Sequence, residues 1–293
     1  MTSKDGTFRG ARNLGIHWRA WLPDFEPRGV VVIAHGAGEH AGRYGHVAAR
    51  LTSDGYAVYA VEHRGHGHSQ GPRALIDRLD NAVADLDSLV ILAAGDHPGL
   101  PLFLLGHSMG GTIAVSYTIA HQDRLSGLIL SAPLAALEAA PAPMRLAARV
   151  LSALAPRLPL FAIDATLVSR DPAVVEAYEK DPLVYHGKLP VRTVAELAGA
   201  IERFPESAAE ITVPTLIMFG TADRLCPPEG SVMLGKRIGA SDKTLTPYDG
   251  LYHEILNEPE QDLVLNELSA WLGAHTERTV APGQPSSSRQ PLT

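Results

Sequence analysis

The chain has 293 residues and a formal net charge of −7, from 25 basic and 32 acidic residues, without a block of basic residues. Proteins that bind nucleic acids neutralise phosphates with clustered lysine and arginine, so this composition argues against a nucleic-acid partner. A chain of this length can bury a large core, and α/β proteins of this size often form one domain with an insertion.

Cysteine content and the N-terminal segment predict a cytoplasmic location. The single cysteine, Cys226, cannot form an internal disulfide, which fits a reducing compartment. Residues 1–7 lack the apolar run of a signal peptide, and the sequence contains no uninterrupted apolar stretch of about 18 residues that would span a membrane.

Six short apolar segments predict the strands of an α/β sheet. Most of them read as continuously hydrophobic and are separated by helical patterns, which is typical of a mostly parallel sheet covered by helices on both faces. An N-terminal hairpin is expected from residues 7–9 and 15–22. The six segments are residues 30–34, 56–61, 102–105, 128–130, 215–219 and 244–248.

The alternation of strands and helices stops between Pro133 and Pro205, where proline, alanine and leucine dominate and no convincing strand is found. This stretch is far longer than an ordinary connection, so we interpret residues 134–206 as a helical insertion. Helices are expected within it at residues 144–155, 173–178 and 191–203.

The insertion divides the predicted core into two parts, residues 1–133 and residues 207–275. After them, residues 276–293 are rich in proline and serine and lack hydrophobic periodicity. Such composition cannot bury enough apolar surface to order the chain, so we predict a disordered C-terminal tail.

A Gly-X-Ser-X-Gly motif directly follows the third apolar segment and opens a helical pattern at residues 112–121. This strand–turn–helix context is that of a nucleophile elbow, in which the turn is so sharp that only glycine fits on both sides. The flanking glycines are Gly106 and Gly110. We therefore predict that Ser108 is a catalytic nucleophile at the carboxyl end of the sheet.

A serine hydroxyl needs a general base and a carboxylate that orients the base. Asp223 follows the strand at 215–219, and His253 follows the strand at 244–248. This is the chain order serine, acid, histidine that accompanies a nucleophile elbow. We predict that Asp223 and His253 complete a catalytic triad with Ser108. Each alone has a plainer interpretation, a solvated loop carboxylate for Asp223 and a helix-capping or partly buried imidazole for His253.

Acyl transfer places negative charge on the carbonyl oxygen, and backbone N–H groups must stabilise it. One donor is expected from Met109, the residue after the nucleophile. The second is expected from Ala37, in the glycine-rich loop after the first buried strand, where the chain can approach the substrate closely.

The same loop fits a second pattern, G-x-G-x-x-A from Gly36 to Ala41, with Glu62 at the end of the next strand in a ribose-binding position. A dinucleotide site is therefore an alternative hypothesis. It places Glu39 against the pyrophosphate and leaves the serine motif unexplained.

Three histidines in one loop, His63, His66 and His68, suggest a metal site. Intervening glycines and the lack of an obvious carboxylate or cysteine partner argue against fixed ligand geometry. We therefore predict no metal site here, and instead a structured loop that braces the active-site face.

Seven stretches place these residues in a family pattern. They read HGAGEHAGRY at 35–44, DGY at 54–56, HRGHGHS at 63–69, GHSMGG at 106–111, DPL at 181–183, ADRLC at 222–226 and YHE at 252–254. With them, the sequence resembles the monoacylglycerol lipases of the α/β-hydrolase superfamily over about residues 10–275. Related lysophospholipases and esterases share much of this pattern.

The resemblance implies a serine hydrolase that cleaves monoacylglycerol to glycerol and fatty acid through an acyl-serine intermediate, without metal or organic cofactor. It implies Ala37 and Met109 as oxyanion donors. It further implies a polar site for glycerol formed by Glu39, Arg43, His107 and Tyr178. Alternatives stay open, because Glu39 and Arg43 are four residues apart and could pair with each other, His107 could be only the bulky elbow residue, and Tyr178 could pack the cap.

The family also implies that the insertion is a cap whose apolar face contacts a membrane or lipid surface and admits the acyl chain. Its apolar residues could equally pack the cap onto the core. They are Leu146, Leu151, Leu154, Leu158, Leu160 and Phe161.

Two further alternatives concern function. The same machinery serves carboxylesterases and lysophospholipases, and a hydrolase fold can also act as a catalytically silent binding protein. Cys226, three residues after Asp223, either lies beside the site and confers sensitivity to thiol reagents or is an inert small hydrophobic residue.

Overall fold

A mostly parallel sheet organises the part of the chain that the computed structural model describes, residues 1–136 and 150–279. Within these residues, eight strands form the main sheet in the order β1-β2-β4-β3-β5-β6-β9-β10, and two pair separately. The strands are β1 (Thr2–Arg9), β2 (Gly15–Leu22), β3 (Gly29–Ala34), β4 (Tyr56–Val61), β5 (Leu102–His107), β6 (Gly127–Ser131), β7 (Pro159–Phe161), β8 (Leu189–Pro190), β9 (Thr215–Gly220) and β10 (Lys243–Tyr248).

Helices cover both faces of this sheet. Strand residues alternate between two buried clusters, so that Val30 and Val32 pack on one face while Val31 and Ile33 pack on the other. Helices α2, α3 and α7 cover the first face, and α1 and α8 cover the second. The helices are α1 (Gly45–Ser53), α2 (Leu79–Asp96), α3 (Met109–His121), α4 (Pro172–Lys180), α5 (Val191–Ile201), α6 (Phe204–Ser207), α7 (Pro228–Arg237) and α8 (Gln261–Thr279).

The α/β prediction is confirmed. All six predicted strands are present and each lies parallel to at least one other strand of the sheet, and β1 and β2 form the expected N-terminal hairpin. β1 is longer than predicted because most of its residues are exposed, so no hydrophobic pattern marks it. β2 adds to the sheet antiparallel to β4.

The insertion differs from its prediction in one respect. β7 and β8 form a short antiparallel pair where no strand was expected. Segments of three and two residues are too short to show periodicity, and two of these five positions are prolines, which are depleted in strands. The predicted helices at 173–178 and 191–203 correspond to α4 and α5, whereas most of the predicted helix at 144–155 lies outside the described residues and only 150–154 are seen as helical.

The boundary predicted for the C-terminal tail is wrong by a few residues. α8 continues through Thr279, and Thr276 is buried, with its hydroxyl bonded to Tyr56 at 2.9 Å. The remainder of the predicted tail lies outside the described residues. Within the ranges that are described, we find no helix with the length and hydrophobicity needed to cross a bilayer.

A buried arginine fixes the loop that follows β4. Arg64 is 1% exposed and forms ion pairs with Asp85 at 2.8 Å and Asp77 at 2.7 Å. Its Nη2 also donates to the carbonyl of Ala11. Because a buried charge is tolerated only when it is paired, these contacts hold the histidine-rich loop in one conformation against α2.

Candidate active site

Ser108 lies on a strained turn between β5 and α3. Its backbone angles are φ 54° and ψ −120°, which side chains with a Cβ rarely adopt. A Cβ on Gly110 would lie 2.0 Å from the carbonyl oxygen of Ala34, and one on Gly106 would lie 2.6 Å from the Cβ of Ala114. Glycine is therefore required at both flanking positions, as the motif predicted.

Asp223 and His253 form a hydrogen-bonded pair, and His253 lines the same cavity as Ser108. His253 Nδ1 donates to Asp223 Oδ2 at 2.8 Å, and both residues are buried. The other carboxylate oxygen accepts the backbone N–H groups of Leu225 at 2.8 Å and Cys226 at 2.9 Å. The carboxylate is thus held by three donors, and it places the proton of a neutral His253 on Nδ1 and leaves Nε2 as an acceptor.

The hydroxyl of Ser108 faces a sulfur in this structure. Its Oγ lies 3.6 Å from Cys226 Sγ, and within the described residues it forms no hydrogen bond to His253. Ser108 and His253 nevertheless line the same cavity. Nucleophile-to-base hydrogen bonds are often absent until substrate binds, so a rotation of the serine side chain is needed to form this one. The structure thus places Cys226 beside the site.

The environment of His253 favours the protonated imidazole. Burial opposes the charge, but the electrostatic interactions of His253 with Cys226 and Asp223, together with the Asp223 hydrogen bond, outweigh it. They raise the pKa of His253 well above its ordinary value of 6.5.

His107 packs against His253 from the elbow. The two ring centroids are 4.7 Å apart, and His107 Nδ1 donates to the carbonyl of Ser131 at 3.0 Å. Burial, with a contribution from His253, lowers the pKa of His107 to about 4, so this ring is neutral near pH 7. His107 therefore supports the His253 imidazole without adding a positive charge.

The two predicted oxyanion donors both line the cavity that contains Ser108. A Cβ on Gly36 would lie 3.1 Å from the Cβ of Ser108, so the loop after β3 runs directly beside the nucleophile. Ala37 N–H makes no hydrogen bond to another described residue. Met109 is the first residue of α3, where backbone N–H groups have no acceptor within the helix.

A buried charge network lies at the polar end of the cavity. Glu39 accepts hydrogen bonds from Gly36 N–H at 2.6 Å, from the Tyr44 hydroxyl at 2.8 Å and from Arg43 at 3.0 Å. Arg43 also binds both carboxylate oxygens of Glu254, at 2.6 and 2.8 Å. Although burial acts to raise it, the Arg43 guanidinium holds the pKa of Glu39 at about 2, so Glu39 is an anion.

The four residues expected at the polar site take different positions. Glu39, His107 and Tyr178 line the cavity, whereas Arg43 lies behind it, between Glu39 and Glu254 and 4.8 Å from the Tyr178 ring centroid. Glu39 and Arg43 therefore do pair, as the alternative held, and Glu39 reaches the cavity as well. Glu254 also lines it and was not singled out from the sequence, although it follows His253 directly.

The rest of the cavity is apolar and is lined mainly by the insertion. Such a lining favours an acyl chain over a polar leaving group. Of these lining residues, only Phe161 was named from the sequence as an apolar residue of the cap, because the others come from several separate segments. The apolar lining residues are Leu134, Phe161, Ile163, Val168, Leu189, Val194, Leu197 and Leu225.

The dinucleotide hypothesis does not fit this loop. Gly36 N–H, which a pyrophosphate would need, is bonded to the Glu39 carboxylate. The carboxylate would repel a phosphate at this position.

The three loop histidines do not converge. His63 and His66 are buried against His35, with ring centroids 4.6 and 5.4 Å away, whereas His68 turns to Glu62, with Nδ1 and Oε2 3.2 Å apart. Among the described residues, His17, Glu62 and His68 bring possible ligand atoms within 4.8 Å of one another, and so do Asp223, Cys226 and His253. The first group joins β2 to the loop after β4, and the second group belongs to the site that contains Ser108.

Comparison with known proteins agrees with this geometry. The Hydrolase_4 family model, described as "Serine aminopeptidase, S33", matches residues 25–260. A monoacylglycerol lipase of Mycolicibacterium smegmatis is 46% identical over 275 residues, which cover 94% of this chain and 98% of that protein. The human monoglyceride lipase is 38% identical over 88% of this chain and 86% of its own.

A solved structure extends the similarity to three dimensions. The crystal structure of Paleococcus ferrophilus monoacylglycerol lipase superposes with a TM-score of 0.78 at 33% identity, and the alignment covers 94% of this chain and all of that one. Fold, motif geometry and sequence similarity thus lead to one assignment: the chain belongs to the monoacylglycerol lipase family of the α/β-hydrolases.

Proposed function

We propose that this protein hydrolyses monoacylglycerols to glycerol and free fatty acid through an acyl-Ser108 intermediate. The observation that carries the proposal is one cavity that contains Ser108 on its strained turn, His253 held by Asp223, an anionic polar end and an apolar remainder. The named activity of relatives that span nearly the whole chain supports the same substrate class.

In the proposed reaction, Ser108 Oγ attacks the ester carbonyl carbon while His253 Nε2 accepts the hydroxyl proton. The imidazolium then protonates the glycerol oxygen, which leaves as the carbon–oxygen bond breaks. A water molecule gives its proton to His253 and attacks the acyl-serine, and the fatty acid departs as Ser108 recovers the proton. Asp223 keeps the imidazole in the tautomer that each step requires.

Ala37 and Met109 N–H groups are proposed to bind the oxyanion that forms in both steps. Their support is position, since both residues border Ser108 in the cavity and neither amide is bound elsewhere in the described fold. Donors fixed in advance need no reorganisation when the charge develops, and each contributes about 10²- to 10³-fold in rate.

The polar end of the cavity is proposed to select the glycerol group. The Glu39 carboxylate and the unprotonated Nε2 of His107 can accept hydrogen bonds from the two free hydroxyls of glycerol, and the Tyr178 hydroxyl can donate or accept one. Arg43 contributes by holding Glu39 and Glu254 in place. The glycerol of a triacylglycerol has no free hydroxyl and could not donate a hydrogen bond to the buried Glu39 anion, which would disfavour this substrate.

Residues 134–206 are proposed to form a cap over this site. Two contacts of the insertion support this, because Asp181 binds His40 at 2.8 Å and Tyr185 N–H donates to the carbonyl of Gly38 at 2.7 Å. The insertion therefore rests on the loop that carries Ala37. The single unpaired Cys226 supports a reducing compartment, in keeping with a cytoplasmic enzyme.

The cap is also proposed to contact a membrane or lipid surface. Leu154 is 81% exposed, and four neighbouring apolar residues of the insertion are 39–48% exposed. Exposed apolar groups of this density mark interaction surfaces. Phe161 belongs to this surface and also lines the cavity, so lipid would meet the protein where the acyl chain enters. The other three are Leu151, Leu158 and Leu160.

The Ser108→Ala variant tests the reaction and its substrate together. Fatty-acid release is measured from monoacylglycerol, triacylglycerol, lysophospholipid and a short p-nitrophenyl ester. We expect monoacylglycerol to be preferred and the variant to lose about 10⁴-fold or more in kcat, with an unchanged unfolding temperature. Preference for the short ester or the lysophospholipid would favour a carboxylesterase or lysophospholipase, and an inactive wild type would favour a silent binding protein.

The Asp223→Asn variant tests the role of the carboxylate. His253 acts as a base only when neutral, so its raised pKa predicts that wild-type kcat/KM rises with pH through a midpoint above 6.5. Removing the charge destabilises the imidazolium, which lowers that pKa and moves the midpoint to lower pH. We also expect kcat to fall about 10³- to 10⁴-fold. A lower kcat with an unmoved midpoint would contradict this assignment.

The Leu154→Glu variant tests the lipid contact. Association with phosphatidylcholine vesicles should weaken about tenfold or more, since a leucine transferred from water contributes about 1.5–3 kcal/mol. Turnover of a dispersed short-chain ester should stay unchanged. Leu263→Glu, on the exposed side of α8, is the matched control because Leu263 is 53% exposed. Equal vesicle binding of both variants and the wild type would refute the contact.

A further inference from the structure

The peptide unit that joins Gly36 to Ala37 is held at one end only. Its carbonyl oxygen accepts a hydrogen bond from His35 Nδ1 at 2.7 Å, whereas its N–H, that of Ala37, is bound to no other described residue. A trans peptide is planar, with C=O and N–H pointing in opposite directions. Whatever fixes the carbonyl therefore fixes the direction of the amide.

A second backbone group determines which nitrogen of His35 carries the proton. His63 N–H donates to His35 Nε2 at 3.0 Å. A backbone amide can only donate, so Nε2 must be unprotonated, and the proton of the neutral ring must lie on Nδ1. His35 is fully buried, and burial lowers its pKa, which keeps the ring neutral.

Packing holds the plane of this ring. The His63 ring meets it edge-on at 4.6 Å between centroids, and His66 packs at 5.4 Å. All three rings are buried. A ring confined in this way has one orientation in which Nε2 reaches the His63 amide and Nδ1 reaches Gly36.

We infer that His35 is a positioning residue of the oxyanion hole: it accepts from His63 N–H with one nitrogen and, with the other, orients the Gly36–Ala37 peptide so that the Ala37 amide faces the substrate oxyanion. The inference rests on the proposed function. The hydrogen bond to the carbonyl also polarises the same peptide, which makes its N–H a stronger donor. The histidine-rich loop after β4 thereby acquires a role in catalysis without contacting substrate.

Glu39 and the cap hold the neighbouring backbone groups but cannot replace this contact. Glu39 accepts Gly36 N–H, which belongs to the preceding peptide unit, and Tyr185 N–H binds Gly38 C=O, which belongs to a later one. Of these three contacts, the one from His35 alone acts on the peptide whose N–H is the proposed donor.

Two matched variants separate positioning from structural support. His35→Asn keeps an amide donor close to the position of Nδ1 and loses the acceptor for His63. His35→Gln keeps an acceptor near the position of Nε2 and loses the donor to Gly36. We expect H35Q to lower kcat for monoacylglycerol about 10²-fold with an unchanged KM, and H35N to retain most of the wild-type kcat. Unfolding temperatures of both variants are measured alongside.

Equal kcat losses in the two variants, or losses that follow their unfolding temperatures, would overturn the positioning role. Ser108→Ala measured in parallel keeps the two claims apart. If S108A is inactive while H35Q turns over like the wild type, the proposed function stands and the role of His35 falls. If S108A retains activity, the proposed function itself falls.

The tautomer provides a readout that does not depend on activity. Two-bond ¹⁵N–¹H correlation spectra of the histidine-labelled protein at pH 7 distinguish Nδ1-protonated from Nε2-protonated rings, and the signal lost in H35N assigns His35. We expect protonation at Nδ1. A ring protonated at Nε2, or a charged ring, would overturn the inference even in an active enzyme.

Discussion

The close approach of two backbones at the carboxyl end of the central strands places the nucleophile beside the loop that carries Ala37. The first turn of α3 sits so near the end of β3 that a Cβ on Gly110 would lie 2.0 Å from the carbonyl oxygen of Ala34. Beside this contact Ser108 has a positive φ of 54°, and the loop after β3 lies next to it, where a Cβ on Gly36 would be 3.1 Å from the Ser108 Cβ. Nucleophile and proposed oxyanion donors thus share one constraint, and a change in it would displace both.

Most of the titratable groups around this turn are held in one protonation state near pH 7. Glu39 is held as an anion by Arg43, and burial keeps His35 and His107 neutral. His253, which interacts with the Asp223 carboxylate, is the one of these histidines whose pKa is raised. In this account, a single imidazole near the nucleophile can gain and release a proton, while the other buried histidines orient peptides and rings.

The sequence predicted the fold, the serine turn and the pairing of Asp223 with His253 because each has a strong local signal. Continuous apolar runs mark the parallel strands, and Gly106 with Gly110 marks the elbow. Contacts between segments that are distant in the chain could not be predicted from local sequence patterns. Nothing local indicates that Arg43 turns towards Glu254 behind the cavity wall, that His35 and His63 meet, or that residues as short as those of β7 and β8 pair. Such features depend on tertiary packing, and no local sequence pattern marks them.

The most direct test of this account is to locate the acyl group of the covalent intermediate. The enzyme is mixed with a long-chain p-nitrophenyl ester, and the reaction is quenched in acid within milliseconds to seconds. The position of the acyl group is then determined by peptide mass spectrometry. The account predicts one acyl group on the peptide that contains Ser108 and none in the Ser108→Ala variant. An acyl group on Cys226, whose sulfur lies 3.6 Å from the serine oxygen, or no covalent intermediate during turnover, would contradict it.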